Sequence, residues 1–129
     1  MNNKGFYVKD VTPILRIFDV EKAKAFYLNF LEFALDWEHR YEENFPLYMQ
    51  VSLGSCKLHL SEHYGDSSPG VKIRIEVEAI HVLQETLLLK EDKYCRPDFE
   101  EAHGQLEMTI TDPFGNQICF FEPLQELKK

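Results

Sequence analysis

Apolar and polar residues alternate through most of this chain, and a helical spacing interrupts the alternation twice. The run from Thr12 to Phe18 alternates around Ile14 and predicts a first strand, with Asp19 placed to cap a helix. Ala23, Phe26, Tyr27, Phe30 and Leu31 then recur at the spacing of one apolar helical stripe. The chain must turn near Glu32 to Ala34 without a glycine. Trp37 to Tyr41 predicts a strand and Glu42-Glu43-Asn44-Phe45-Pro46 a loop. Leu47, Met49, Val51 and Leu53 alternate with Tyr48, Gln50 and Ser52, the pattern of a half-buried strand. Gly54-Ser55 turns the chain back into a strand from Cys56 to Leu60.

The stretch Gly65-Asp66-Ser67-Ser68-Pro69-Gly70 reads as a linker, after which the sequence of elements begins again. Val71, Ile73, Ile75 and Val77 predict a strand with Lys72, Arg74 and Glu76 on its other face. A helix is expected from about Ile80 to Lys90, and a strand and a loop between Glu91 and Gly104. Gln105 to Thr111 and Gln117 to Glu122 read as strands joined by the turn Asp112-Pro113-Phe114-Gly115-Asn116, and Leu124 to Lys129 as a charged tail. A shift of about 60 residues lays Ile14-Leu15-Arg16-Ile17-Phe18-Asp19-Val20 on Arg74-Ile75-Glu76-Val77-Glu78-Ala79-Ile80. The same shift lays Leu58-His59-Leu60 on Ile118-Cys119-Phe120. The chain therefore predicts an α+β fold of two tandem βαβββ modules, residues 8–64 and 71–124, within a single domain over 1–129. Their sheets are expected to curve around a cavity.

Composition narrows the partners. A 129-residue chain with 44% hydrophobic residues can bury one core. A net charge of −8 argues against a nucleic-acid partner and favours a cationic ligand. No apolar run is long enough to span a bilayer, and Met1 to Gly5 leads into polar sequence without a signal segment, which predicts a cytoplasmic protein with no membrane partner. Cys56, Cys95 and Cys119 are scattered and odd in number, as expected of free thiols. Cys95 lies beside Lys93 and Arg96, whose charge would lower its pKa only if the side chains converged.

The chain has no nucleophile elbow, phosphate loop or HExxH motif. His59 and His63 would stand about 13 Å apart along one strand face. Asp36-Trp37-Glu38, Glu42, Glu43 and Phe45 in the first half, with Glu100, Glu101 and His103 in the second, combine flat rings with carboxylates. That combination suits a planar cation, through stacking and charge. Trp37 and Phe45 are otherwise core residues, and the glutamates solvated surface.

Two segments carry a family resemblance. Phe18-Asp19-Val20-Glu21-Lys22-Ala23 with Phe26-Tyr27, and Asp112-Pro113-Phe114-Gly115-Asn116 before an apolar strand, resemble the glyoxalase, bleomycin-resistance and extradiol dioxygenase proteins, the vicinal oxygen chelate (VOC) superfamily. Thr12 to Val20, with its early proline, and Leu58-His59-Leu60-Ser61-Glu62-His63 before the glycine-bounded linker are similar to the bleomycin resistance proteins. The resemblance implies metal-ligand positions at Thr12, His59, Lys72 and Cys119. Only His59 is a usual ligand there, so no metal and no cofactor are expected. It further implies a homodimer, with Pro13 allowing the N-terminal strand to cross to the partner, and antibiotic resistance by sequestering a bleomycin-like cationic glycopeptide without chemistry. The implied ligand-binding residues are Asp36, Trp37, Phe45, His59, Ser61 and His103. Some members carry a tryptophan where this chain has His103, which would stack less strongly. The alternatives are a divergent metal-dependent glyoxalase- or dioxygenase-like enzyme, and a small-molecule sensor or immunity module.

Overall fold

The computed structural model describes residues 4–90 and 97–127. Eight strands form two four-stranded sheets. In chain order these are β1 (Ile14–Arg16), β2 (Ala34–His39), β3 (Tyr48–Leu53) and β4 (Cys56–Ser61), then β5 (Lys72–Glu76), β6 (Phe99–Ala102), β7 (Gln105–Thr111) and β8 (Gln117–Pro123). The helices are α1 (Val20–Lys24), which continues as a π-helical stretch (Ala25–Phe30), α2 (Ile80–Leu88) and the short α3 (Leu124–Leu127), where the sequence reads only as a charged tail. Among the described residues, no helix is long and apolar enough to cross a membrane.

The sheets run β1-β4-β3-β2 and β5-β8-β7-β6, so each module repeats one topology. The parallel pairing of Ile14 with His59 in the first recurs as Arg74 with Cys119 in the second, each partner displaced by 60 positions. The α+β fold of two tandem modules is thus the one the sequence repeat describes.

Alternation decides which face is buried. Leu15, Met49, Val51, Leu58 and Leu60 join Ala23, Phe26, Tyr27 and Phe30 of the first helix in a cluster that also takes in Met108, Ile110, Ile118 and Phe120. Asp19 accepts a hydrogen bond from Lys22 N (3.0 Å), capping α1 as its position predicts, a contact worth about 1 kcal/mol. Beyond Lys24 the coil widens, with Leu31 N bonding Phe26 O (2.9 Å), which keeps Phe26, Tyr27 and Phe30 buried together. The turn out of this helix puts Glu32 at φ 65, a left-handed position filled without a glycine.

The modules are joined by polar contacts as well as by the core. The Tyr27 hydroxyl donates to Asp112 Oδ2 (2.7 Å), and Asn116 Nδ2 donates to both Asp112 Oδ2 and the Arg16 carbonyl (2.9 Å each). Asp112 Oδ1 also accepts from the backbone of Phe114 and Asn116 (2.8 Å each), so the buried ends of this turn, Asp112 and Asn116, form a joint between the halves. α2 has no side-chain cap of its own. Glu122 of β8 accepts from Ala79 N and Ile80 N instead (3.1 Å each).

Candidate functional site

The face of the first sheet turned away from the core carries most of the residues singled out in the sequence. On a regular strand Asp36 and Trp37 would point to opposite faces. The ladder between β2 and β3 instead slips between Leu35, which pairs with Val51, and Trp37, which pairs with Gln50. Asp36 is the extra residue of this β-bulge, and both it and Trp37 stand beside Gln50. Cross-strand pairing then builds two rows on this face: Ile14, His59, Gln50 and Trp37, and next to it Arg16, Ser61, Tyr48 and His39.

Hydrogen bonds connect these side chains in series. Ser52 Oγ donates to Asp36 Oδ1 and Gln50 Nε2 to Asp36 Oδ2 (2.9 Å each). That orientation of Gln50 turns its Oε1 toward His59 Nε2 (3.0 Å), which therefore carries the proton. His59 Nδ1 is left to accept from the Tyr48 hydroxyl (2.6 Å). Asp36 is held below the ordinary carboxylate range, first by the Gln50 bond, then by Ser52, with a lesser part from the Lys57 charge. Burial pushes the His59 imidazole down, toward its neutral form.

Aromatic rings surround this network. Trp37 is 43% exposed and lies nearly parallel to Tyr48, with centroids 6.0 Å apart, while its edge contact to His59 is 5.4 Å. An open hollow of about 380 Å³ beside them is lined by Trp37, His39, Tyr41, Tyr48, His63 and Asp66. His63 lies beyond the end of β4 and approaches the same Tyr48 ring that His59 meets from the sheet, at 6.4 and 5.1 Å.

The sheet brings Asp36, Trp37 and His59 together, and the other expected residues stand further off. Ser61 shares the face but is fully buried. Its hydroxyl donates to Asp66 Oδ2 (2.7 Å) and accepts from His63 N (3.0 Å). Phe45 lies in the loop before β3, 46% exposed, with its carbonyl accepting from Arg40 Nη1 (2.5 Å). His103 occupies the two-residue turn between β6 and β7 of the other sheet, with Gly104, both at positive φ. Among the described residues, no hydrogen bond or ring contact joins Phe45 or His103 to the Trp37 cluster. Tyr48, Gln50 and Ser52 enter the site without having been singled out. Their signal is the polar half of the β3 alternation, which the sequence assigns only to an exposed face. Cys95 and its basic neighbours lie outside the described residues.

The positions implied for a metal do not fit one. Both His59 nitrogens are engaged, by Tyr48 and by its β3 neighbour Gln50, and its neighbour on β1 is the apolar Ile14. Thr12 precedes β1, and Lys72 opens β5 opposite Gln117. In the second sheet Cys119 is paired with Arg74, whose Nη1 donates to the thiol (3.6 Å) and whose Nη2 bonds Gln105 (2.6 Å) and Glu107 (3.1 Å). A guanidinium stacked on Phe121 at 4.5 Å fills that position with a positive charge, which repels a divalent cation. Among the described residues no three His, Cys, Asp or Glu side chains are grouped to hold a metal.

A larger hollow, about 490 Å³, lies between the β3–β4 turn and α2. Its walls are mainly apolar, including Phe33, Leu53, Val82 and Leu83, and burial pushes the Cys56 thiol there up, toward its unreactive form.

Comparison with known proteins places this architecture. Many solved structures share it, among them the following three. An antibiotic binding protein from Streptomyces sp. CB03234 is 18% identical, covering 92% of this chain and 98% of its own, with a TM-score of 0.71. The bleomycin-binding protein of bleomycin-producing Streptomyces verticillus, solved with copper(II)-bleomycin, is 24% identical over 89% and 96%, TM-score 0.66. A member of the glyoxalase/bleomycin resistance protein/dioxygenase superfamily from Sphaerobacter thermophilus is 22% identical over 89% and 98%, TM-score 0.65. At these identities the likeness establishes the fold alone. No curated protein matches the chain in sequence. A family model described as glyoxalase superfamily protein matches residues 3–126, nearly the whole chain, so the protein belongs to the glyoxalase superfamily.

Proposed function

We propose that this protein is a metal-free binder that sequesters planar, cationic small molecules of the bleomycin type, without altering them. The β-bulge at Asp36 carries the reading, because it sets a carboxylate and an indole side by side on one sheet face with Tyr48 and His59. A flat cation laid on that face stacks on the rings and is attracted by the charge of Asp36. The hydrogen-bonded series from Tyr48 to Asp36 holds the surface in one arrangement, so little ordering is needed on binding. The antibiotic-binding and bleomycin-binding proteins of the same fold support this choice of ligand.

A homodimer is part of the proposal. Tyr7, Val8 and Val11 in the arm before β1 are each three-quarters or more exposed, apolar surface suited to a second copy. Each dimer would offer two sites.

Trp37 is the only tryptophan, so its emission reports on the site. Titration with bleomycin, with and without Cu(II), should quench it saturably. Emission unchanged at high micromolar drug in both forms overturns the assignment.

A further inference from the structure

The hollow beside Trp37 has walls of a particular kind. Tyr41 stands at 82° to His39 with centroids 4.9 Å apart and at 89° to His63 at 6.4 Å, while Trp37 and Tyr48 lie within 10° of parallel. The rings that line the space are therefore set at several angles to one another. The one carboxylate in its lining, Asp66, takes a hydrogen bond from Ser61 Oγ (2.7 Å) and has no ion-pair partner among the described residues. Arg16, the cation paired with Ser61 across β1 and β4, is drawn over Phe18 at 4.6 Å and makes no ion pair with Asp66. The charge of Asp66 nevertheless reaches the rings, since after burial it is the second cause that raises the Tyr48 phenol.

Such walls discriminate between cations. A primary ammonium carries three N–H donors and a tight hydration shell, and aromatic faces replace neither well. A quaternary ammonium has no donor to satisfy and loses little hydration, so ring faces and one counter-charge meet its needs. We propose that this hollow is an aromatic cage for a quaternary ammonium group, walled by Trp37, Tyr41 and Tyr48 and neutralised by Asp66. This rests on the reading of the sheet face as a ligand site and names the chemical group that enters at this end of it.

Tetramethylammonium chloride is the probe, titrated at ionic strength held constant with sodium chloride, against methylammonium chloride, a primary ammonium, as the control. Tetramethylammonium should shift Trp37 emission saturably while methylammonium does not. Tyr41→Ala and Asp66→Asn should each weaken it by roughly fivefold or more. Tyr41 is 74% exposed, so its removal leaves the core untouched. Equal responses to the two salts, or wild-type affinity in both variants, overturn the cage. Bleomycin binding without any response to tetramethylammonium overturns the cage and leaves the drug reading intact. A tetramethylammonium response without one to bleomycin supports the cage and removes the drug.

Discussion

The Tyr48 hydroxyl lies 2.6 Å from His59 Nδ1 and, with Gln50 on the other ring nitrogen, leaves His59 no free lone pair. The imidazole therefore acts as a strut within the sheet face. Its position in the second module is taken by Cys119, a fully buried thiol held by Arg74. One topology thus supports two unlike surfaces, an aromatic one edged by the carboxylate of Asp36 and one organised around the Arg74–Glu107 ion pair.

This arrangement fixes the pH response. Burial holds His59 below the ordinary histidine value of about 6.5. As pH falls through that value, the unfolded chain takes up the proton before the folded one does. Stability from this group is fully present above about 6.5, declines below it, and is lost once pH passes the lower folded-state pKa. Urea midpoints from about pH 8 to about pH 5 should fall more steeply for wild type than for His59→Gln. Parallel curves would show that His59 does not titrate in this way.

Metal content is a second test. With His59 engaged and Arg74 beside Cys119, protein purified without chelator should carry far less than one Zn, Ni, Mn or Fe per chain. Elemental analysis measures this directly. Stoichiometric metal that disappears in His59→Ala would instead restore the enzyme alternative.

Charge at the bulge is a third. Asp36→Asn keeps the shape and the possibility of hydrogen bonding to Ser52 while removing the negative charge. Affinity for a cationic drug should fall severalfold, and Kd should become less sensitive to salt, because an exposed charge is screened. Calorimetry at low and high sodium chloride reads both effects. Unchanged affinity at low salt would place the cation elsewhere.

The joint between the modules supplies a fourth. Tyr27 is fully buried, and burial first, with the Asp112 charge second, pushes its phenol well above the ordinary value, so the hydroxyl stays a donor to that carboxylate. Tyr27→Phe should cost about 1–3 kcal/mol in a denaturant titration. Asp112→Ala should cost more, since four donated hydrogen bonds end on that one side chain. Equal and small losses would mean that water replaces the joint.

Periodicity alone determined the fold: the stripe from Ala23 to Leu31, the alternation of Leu47 to Leu53 and the shift that lays Ile14 on Arg74 each report burial against a neighbour, and burial is what side-chain pattern encodes. The candidate surface was legible only in outline. Asp36, Trp37 and His59 were recognisable as chemistry, but the bulge that turns Asp36 and Trp37 to one face is a slip in pairing with β3, and a strand carries no mark of its partner's register. Tyr48, Gln50 and Ser52 looked like the solvent half of a strand until the ladder set them against His59 and Asp36. Ser61 and His103 show the same limit from the other side, since one spends its hydroxyl on Asp66 and the other lies on the second sheet. Which side chains are buried follows from local spacing along the chain. Which side chains meet depends on register between distant strands, and only the tertiary structure decides that.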